Sequence, residues 1–147
     1  MAKPVVITLN VQANTLFNMA NPSQSDVDNC CSITDNNGGS SNGGGIESYT
    51  TPVFINFNVM WNGATNDQGY SVAISSIVYE PDSSDVNFFD NNTLTGSGGR
   101  SGNVNANVRN DNSLMNQHDD YAIYFKVYSS GNTYKSYSID PKIQVNP

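Results

Sequence analysis

Positive charge is scarce in this chain. Its 147 residues hold six Lys plus Arg against 13 Asp plus Glu, a formal net charge of −7. Phosphate backbones are gripped by clustered Lys and Arg, and the sequence contains no such cluster. Nucleic acid is therefore not an expected partner, nor is an anionic membrane surface. Long apolar runs are also lacking. No window approaches the ~20 apolar residues of a membrane span, and Met1-Ala2-Lys3-Pro4 leads straight into a β-type segment without a signal-peptide pattern. The expectation is a cytoplasmic protein, or one exported without a classical signal.

Chemistry-bearing side chains are few. His118 is the only histidine, and Cys30 and Cys31 are the only cysteines. A metal site needs further ligands at workable spacing, so no metal and no cofactor are expected. Adjacent cysteines close only a strained ring, since ordinary bridges want Cα atoms ~5.5 Å apart. One buried and one outward thiol on a short strand is the plainer reading, with disulfides between copies as the alternative. His118 lies beside Asp119 and Asp120. Triads are defined by geometry rather than by neighbours in sequence, so a hydrolase centred on His118 ranks third among the readings.

Charged residues make up only 13% of the chain, about half the usual share. Asn, Ser, Gly and Thr take their place. Eight Tyr, six Phe and one Trp, set in alternating runs, favour a folded chain over a disordered one. A single domain spanning 1–147 is expected, long enough to bury about two-thirds of its unfolded surface.

The period of two that marks strands recurs along the chain. Val5, Ile7, Leu9 and Val11 alternate with Val6, Thr8 and Asn10. Val53, Ile55, Phe57 and Val59 do so most cleanly, running into Trp61. Gly69 to Glu80 follows, with a bulge at Ser75-Ser76 where the alternation slips. Tyr121, Ile123, Phe125 and Val127 then alternate with Ala122, Tyr124, Lys126 and Tyr128. Ser129 to Asn132 turns that strand into an antiparallel partner, Asp140-Pro141 breaks the run, and Ile143 with Val145 closes it. Strands are expected near 5–12, 53–61, 69–80, 102–109, 120–129, 133–139 and 142–146.

The intervening segments read as loops. Asn14 to Asn21 fits a short helical turn or a plug over one end of the core; Pro22 to Asp28 is loop-like. Residues 34–45 are low-complexity Gly, Asn and Ser, expected to be flexible, and Asp111 to Asp120 is a polar loop. The fold class expected is all-β, an antiparallel sandwich of about seven strands, immunoglobulin-like or jelly-roll-like, with long polar loops.

Two parts of the chain carry a family likeness. One is Val5 to Val11 followed by Asn21-Pro22-Ser23-Gln24; the other is an aromatic strand containing Tyr121 and Phe125, a turn at Gly131, and Tyr137 leading to Asp140-Pro141 and Ile143. In this the chain resembles the AidA/PixA family of bacterial inclusion body proteins, end to end in layout and most specifically from Tyr121 to Pro147. The resemblance implies a non-enzymatic β-domain that associates with itself, with a role in host or microbial interaction. It transfers no active-site residues.

A competing reading is a carbohydrate-binding module. A neutral-polar surface suits uncharged glycans, and Trp61, Tyr70, Asp82 and Asp85 are the candidate ligand-binding residues. Trp61 is weighed there against a plain role as core anchor.

Overall fold

The computed structural model describes residues 2–41, 45–46, 48–79, 87–131 and 133–146. Ten strands run through them: β1 (Val5–Val11), β2 (Cys31–Asp35), β3 (Thr50–Phe54), β4 (Asn58–Ala64), β5 (Ser71–Tyr79), β6 (Thr93–Thr95), β7 (Val104–Asn107), β8 (His118–Tyr128), β9 (Tyr134–Ile139) and β10 (Lys142–Asn146). Two short helices, α1 (Ala13–Phe17) and α2 (Gln24–Asn29), follow β1.

Four strands form one sheet in the order β2-β1-β4-β7. Six form the other: β3-β10-β8-β5-β6, with β9 also paired to β8. Both sheets are mixed, because β1 runs parallel to β4 and β10 runs parallel to β3. The antiparallel-only expectation is thereby corrected, and the strand count rises. Parallel neighbours need a long crossover between them. Alternation within a strand carries no information about which distant strand lies beside it or in which direction.

The run from Val53 to Trp61 shows how this happens. Expected as one strand, it is two. The chain leaves the six-stranded sheet after Phe54 and enters the four-stranded sheet at Asn58. Asn56 makes the corner at φ 66°, the left-handed region that Asn tolerates better than most residues. Its N–H donates to the Val108 carbonyl at 3.0 Å, and Phe57 N–H donates to the Phe54 carbonyl at 3.1 Å. The apolar alternation runs on through the corner because Val53, Val59 and Trp61 all face the same core.

That core draws on both sheets. Ile7, Leu9, Val59 and Trp61 come from one, and Ile74, Ile123, Phe125 and Val145 from the other, each almost fully buried. Burying such a side chain stabilises by roughly 1.5–3 kcal/mol. On β8 the expected alternation holds except at Ala122, which is buried as well. Tyr121, Ile123, Phe125 and Val127 are inside, while Tyr124 is outside and Lys126 and Tyr128 are half-buried. The bulge on β5 is also where expected: the register against β8 shifts between Ile74 and Ser76. Gly96 N–H donates to the Ser75 carbonyl there at 2.8 Å.

Other expectations need correction. Pro22 to Asp28 is not loop but largely α2, opened by a capping box in which Ser23 and Asp26 each accept the other's backbone N–H. Separately from these corrections, the described residues at the start of the stretch 34–45 make local contacts. Asp35 ends β2 and its Oδ1 accepts from Asn37 and Gly39 N–H, while Ser40 bridges back to Thr34. The segment 111–120 contains a 3-10 turn at Asn112–Leu114, and His118 already lies in β8. Cys30 caps the end of α2; only Cys31 is on a strand.

Gly63 on β4 leaves no room for a side chain, since a Cβ there would lie 2.6 Å from both Cγ1 and the carbonyl oxygen of Val72. Gly63→Ala should cost about 1–3 kcal/mol by overpacking. The check is a lower urea midpoint at unchanged slope.

Candidate functional site

Trp61 arrives in the core through β4, 1% exposed. Its indole Nε1–H donates to the Tyr121 hydroxyl at 3.2 Å, and its ring meets Tyr121 and Phe89 edge-on at 6.0 and 5.6 Å. Polar tips satisfied inside an apolar cluster are how buried Trp and Tyr are accommodated. Trp61 therefore presents no face for a sugar ring to stack on. Tyr70 is half-buried, tilted against Phe17 at 5.8 Å, and its hydroxyl donates to Asn14 Oδ1 at 3.0 Å. Asp82 and Asp85 lie outside the described residues. Trp61 and Tyr70 do not share a site.

The residues around His118 diverge. Strand alternation turns His118 outward and Asp119 inward, where Asp119 is 2% exposed and its Oδ1 accepts from the Tyr79 hydroxyl at 3.0 Å. Asp120 faces outward again, with Oδ1 3.7 Å from Lys142 Nζ. Among the described residues, His118 and its neighbours Asp119 and Asp120 therefore do not converge on one point. Among the described residues no cluster of His, Cys, Asp or Glu is arranged to hold a metal ion, and no helix is long and apolar enough to cross a membrane.

The motif residues of the C-terminal segment pack against one another or lie at turns. Phe125 stacks on Tyr137 at 5.6 Å, and Gly131 turns the hairpin with its N–H on Ser129 Oγ at 3.3 Å. Asp140-Pro141 is the corner between β9 and β10, and Ile143 is buried.

Among the described residues, two open concavities stand out. The first, about 550 Å³, opens between β1, the end of α2 and the Thr65–Asp67 turn, with Asn10, Gln12, Asn66 and Asp67 on its walls. Cys30 and Cys31 line it as free thiols. Burial, then the charge of Asp26, pushes the Cys30 thiol up; burial, then Cys30 and Asp28, pushes Cys31 up. Thiolate is the reactive form, so both are poor nucleophiles. Alkylation at pH 8 should run at least about tenfold slower than for an unhindered thiol of ordinary pKa, as counted with a chromogenic thiol reagent.

The second concavity, about 530 Å³, is an open groove between β9 and the segment Ala20–Val27. Tyr137 and Val27 lie within it and Tyr124 stands at its lip. Tyr124 and Tyr134, at 41% and 51% exposure, are the most exposed large hydrophobic residues among those described. Both belong to the β8–β9 hairpin. Tyr128 and Tyr134 face each other across the two strands, ring centroids 5.2 Å apart. Lys126 Nζ sits 4.5 Å from the Tyr134 ring and Arg100 5.4 Å from that of Tyr128. Sequence reasoning missed this surface, although the outward parity of Tyr124 and Tyr128 was on view.

The solved structures supply a comparison. The crystal structure of the inclusion body protein PixA from Burkholderia cenocepacia J2315 superposes with a TM-score of 0.65, covering 98% of this chain and 95% of that one at 12% identity. This chain has that protein's fold. The likeness expected from the C-terminal residues is thus found across nearly the whole chain, at an identity that speaks for the fold alone. No protein-family model and no curated protein sequence matches the chain.

Burial raises the pKa of Tyr121, and burial with the Asp35 hydrogen bond raises that of Tyr49. A raised tyrosine favours the neutral form in the folded state. Its contribution is complete below the unfolded pKa of about 10 and is lost as pH rises beyond it. Stability should therefore fall steeply above about pH 10. Tyr121→Phe should flatten that fall while costing about 1–3 kcal/mol at neutral pH, because Trp61 Nε1–H loses its acceptor. Denaturant melts at pH 7 to 11 measure both.

Proposed function

We propose that this chain is a non-enzymatic, self-associating protein of the inclusion-body type, a single domain whose two sheets pack as a sandwich. The observation that carries the reading is the tyrosine-lined outer face of the β8–β9 hairpin. Exposed aromatic area gathered in one place is what contact surfaces use, and Tyr is enriched at interface hot spots. Low charge supports the same reading, since copies can meet with little desolvation of ions. The structural neighbour bears the name of an inclusion body protein, which agrees with ordered deposition of copies in the cytoplasm. The glycan reading loses Trp61 to the core and has no observation in its favour.

Light-scattering mass over a hundredfold concentration range tests the proposal. Particles that grow with concentration are expected, and a strict 15.9 kDa monomer throughout would overturn it. Replacing Tyr124 and Tyr134 together by Ser should weaken association at least about tenfold. Monomer stability should change by no more than ~0.5 kcal/mol per site, as is usual for exposed positions.

A further inference from the structure

Sheet edges offer unpaired backbone groups to other chains, and most edges here are blunted. β3 carries Pro52, which cannot donate. β2 is covered by its own loop, through the Thr34–Ser40 bridge and Ser41 N–H on the Ile33 carbonyl at 2.9 Å. β6 and β7 are only 3 and 4 residues long. β9 is different: 6 residues, Tyr134–Ile139, without proline.

The direction of its backbone groups follows from the ladder. Ser129 N–H donates to the Thr133 carbonyl at 2.8 Å, which makes that facing pair a hydrogen-bonded one. Alternation along an antiparallel pair then leaves Tyr128/Tyr134, Lys126/Ser136 and Tyr124/Ser138 at non-bonded positions. The N–H and C=O of Tyr134, Ser136 and Ser138 therefore point away from β8, toward the groove beside α2. Gln24 confirms the direction, since its Nε2 reaches into the groove and donates to the Ser138 carbonyl at 2.8 Å.

The edge is also polar along its length. At the Tyr134 end stand Arg100, Lys126 and Lys135, three of the six cationic side chains in the protein. At the Ser138 end lies α2 with Asp26 and Asp28, the latter accepting from the same Gln24 Nε2 at 2.9 Å. An antiparallel partner with the same polarity sets positive against negative at both ends. A second copy of this chain is such a partner.

We propose that two copies join through β9, antiparallel about a two-fold axis at Ser136, so that the six-stranded sheet continues from one copy into the other. This rests on the self-association reading above and names its surface. Ser136 faces Ser136 of the second copy, Tyr134 faces its Ser138, and Lys135 comes beside its Tyr137, toward α2. Each facing pair of outward residues exchanges two N–H···O=C bonds, with Tyr134 N–H displacing Gln24 from the Ser138 carbonyl. On the outer face Tyr134 stacks next to Tyr124 of the second copy, which stands opposite Ser138 on β8. The contact is isologous, residue for residue, and strand addition of this kind draws its affinity from the main chain.

The test compares full-length wild type, Ser136→Pro, Lys135→Glu, and Lys135→Glu combined with Asp28→Lys by sedimentation equilibrium. Amide exchange at Tyr134 and Ser136 is followed alongside. Ser136→Pro removes only an outward N–H, so the β8–β9 ladder stays intact; Lys135→Glu carries the test if the proline variant fails to fold. The pairing constant should fall at least about tenfold in each single variant, recover in the charge-swapped pair, and protect both amides in wild type as concentration rises. Association that is equally tight in Ser136→Pro and Lys135→Glu, with both amides unprotected, would overturn this interface and leave self-association standing. A wild type that never associates would overturn both.

Discussion

The register of β8 is the constraint on which the larger sheet depends. This eleven-residue strand bonds to β5 along one side and to β9 and then β10 along the other. Ile139 pairs with Ile123 and Lys142 with Asp120, so the offset is identical before and after the Asp140-Pro141 corner. The two last strands are in effect one strand interrupted by a bend, and the bend frees β10 to take β3 as a parallel neighbour. A slip of one residue on β8 would send Tyr121, Ile123, Phe125 and Val127 to the solvent face. The hydrophobic pattern of that strand therefore holds the sheet and half of the core together.

The Trp61–Tyr121 contact links this sheet to the other. Trp61 comes from β4 and Tyr121 from β8, and their hydrogen bond joins the two sheets inside an apolar cluster with Phe89. A buried indole N–H without an acceptor would cost about as much as several well-packed methylenes contribute. The same arrangement explains why a residue that looked available for sugar stacking is not. Its polar atom is already committed, and its ring faces are covered.

The proposed self-association and fold stability would make opposite demands on the outer face of the hairpin. Tyr124 and Tyr134 contribute little to the monomer because much of their surface stays in water. Cation–π contacts from Lys126 to Tyr134 and from Lys135 to Phe17 draw the ammonium groups over aromatic rings. Lysine on an edge ordinarily blocks pairing; here both lysines have ring partners within their own copy. The Gln24 side chain, resting on the Ser138 carbonyl, covers part of the edge within the single copy.

Most strands were legible in the sequence because alternation reports one local fact, which side chains are inside. That fact placed β1, β5 with its bulge, and the β8–β9–β10 tail, and with them the family likeness. It failed wherever a decision was non-local or hidden by continuity. The alternation of Val53 to Trp61 continues unbroken through the Asn56 corner, so a crossing between sheets looked like a single strand. The capping box at Ser23 and Asp26 was present in the letters but went unread among loop residues. The groove beside β9 was invisible, being built from α2 and a strand more than a hundred residues later. Composition and alternation by themselves determined a weakly charged, mostly β protein. Only the tertiary structure decided strand order, the parallel pairs, the fate of Trp61 and the identity of the open edge. Each of those depends on long-range pairing through backbone groups that are the same in every residue, so side-chain identity does not encode it locally.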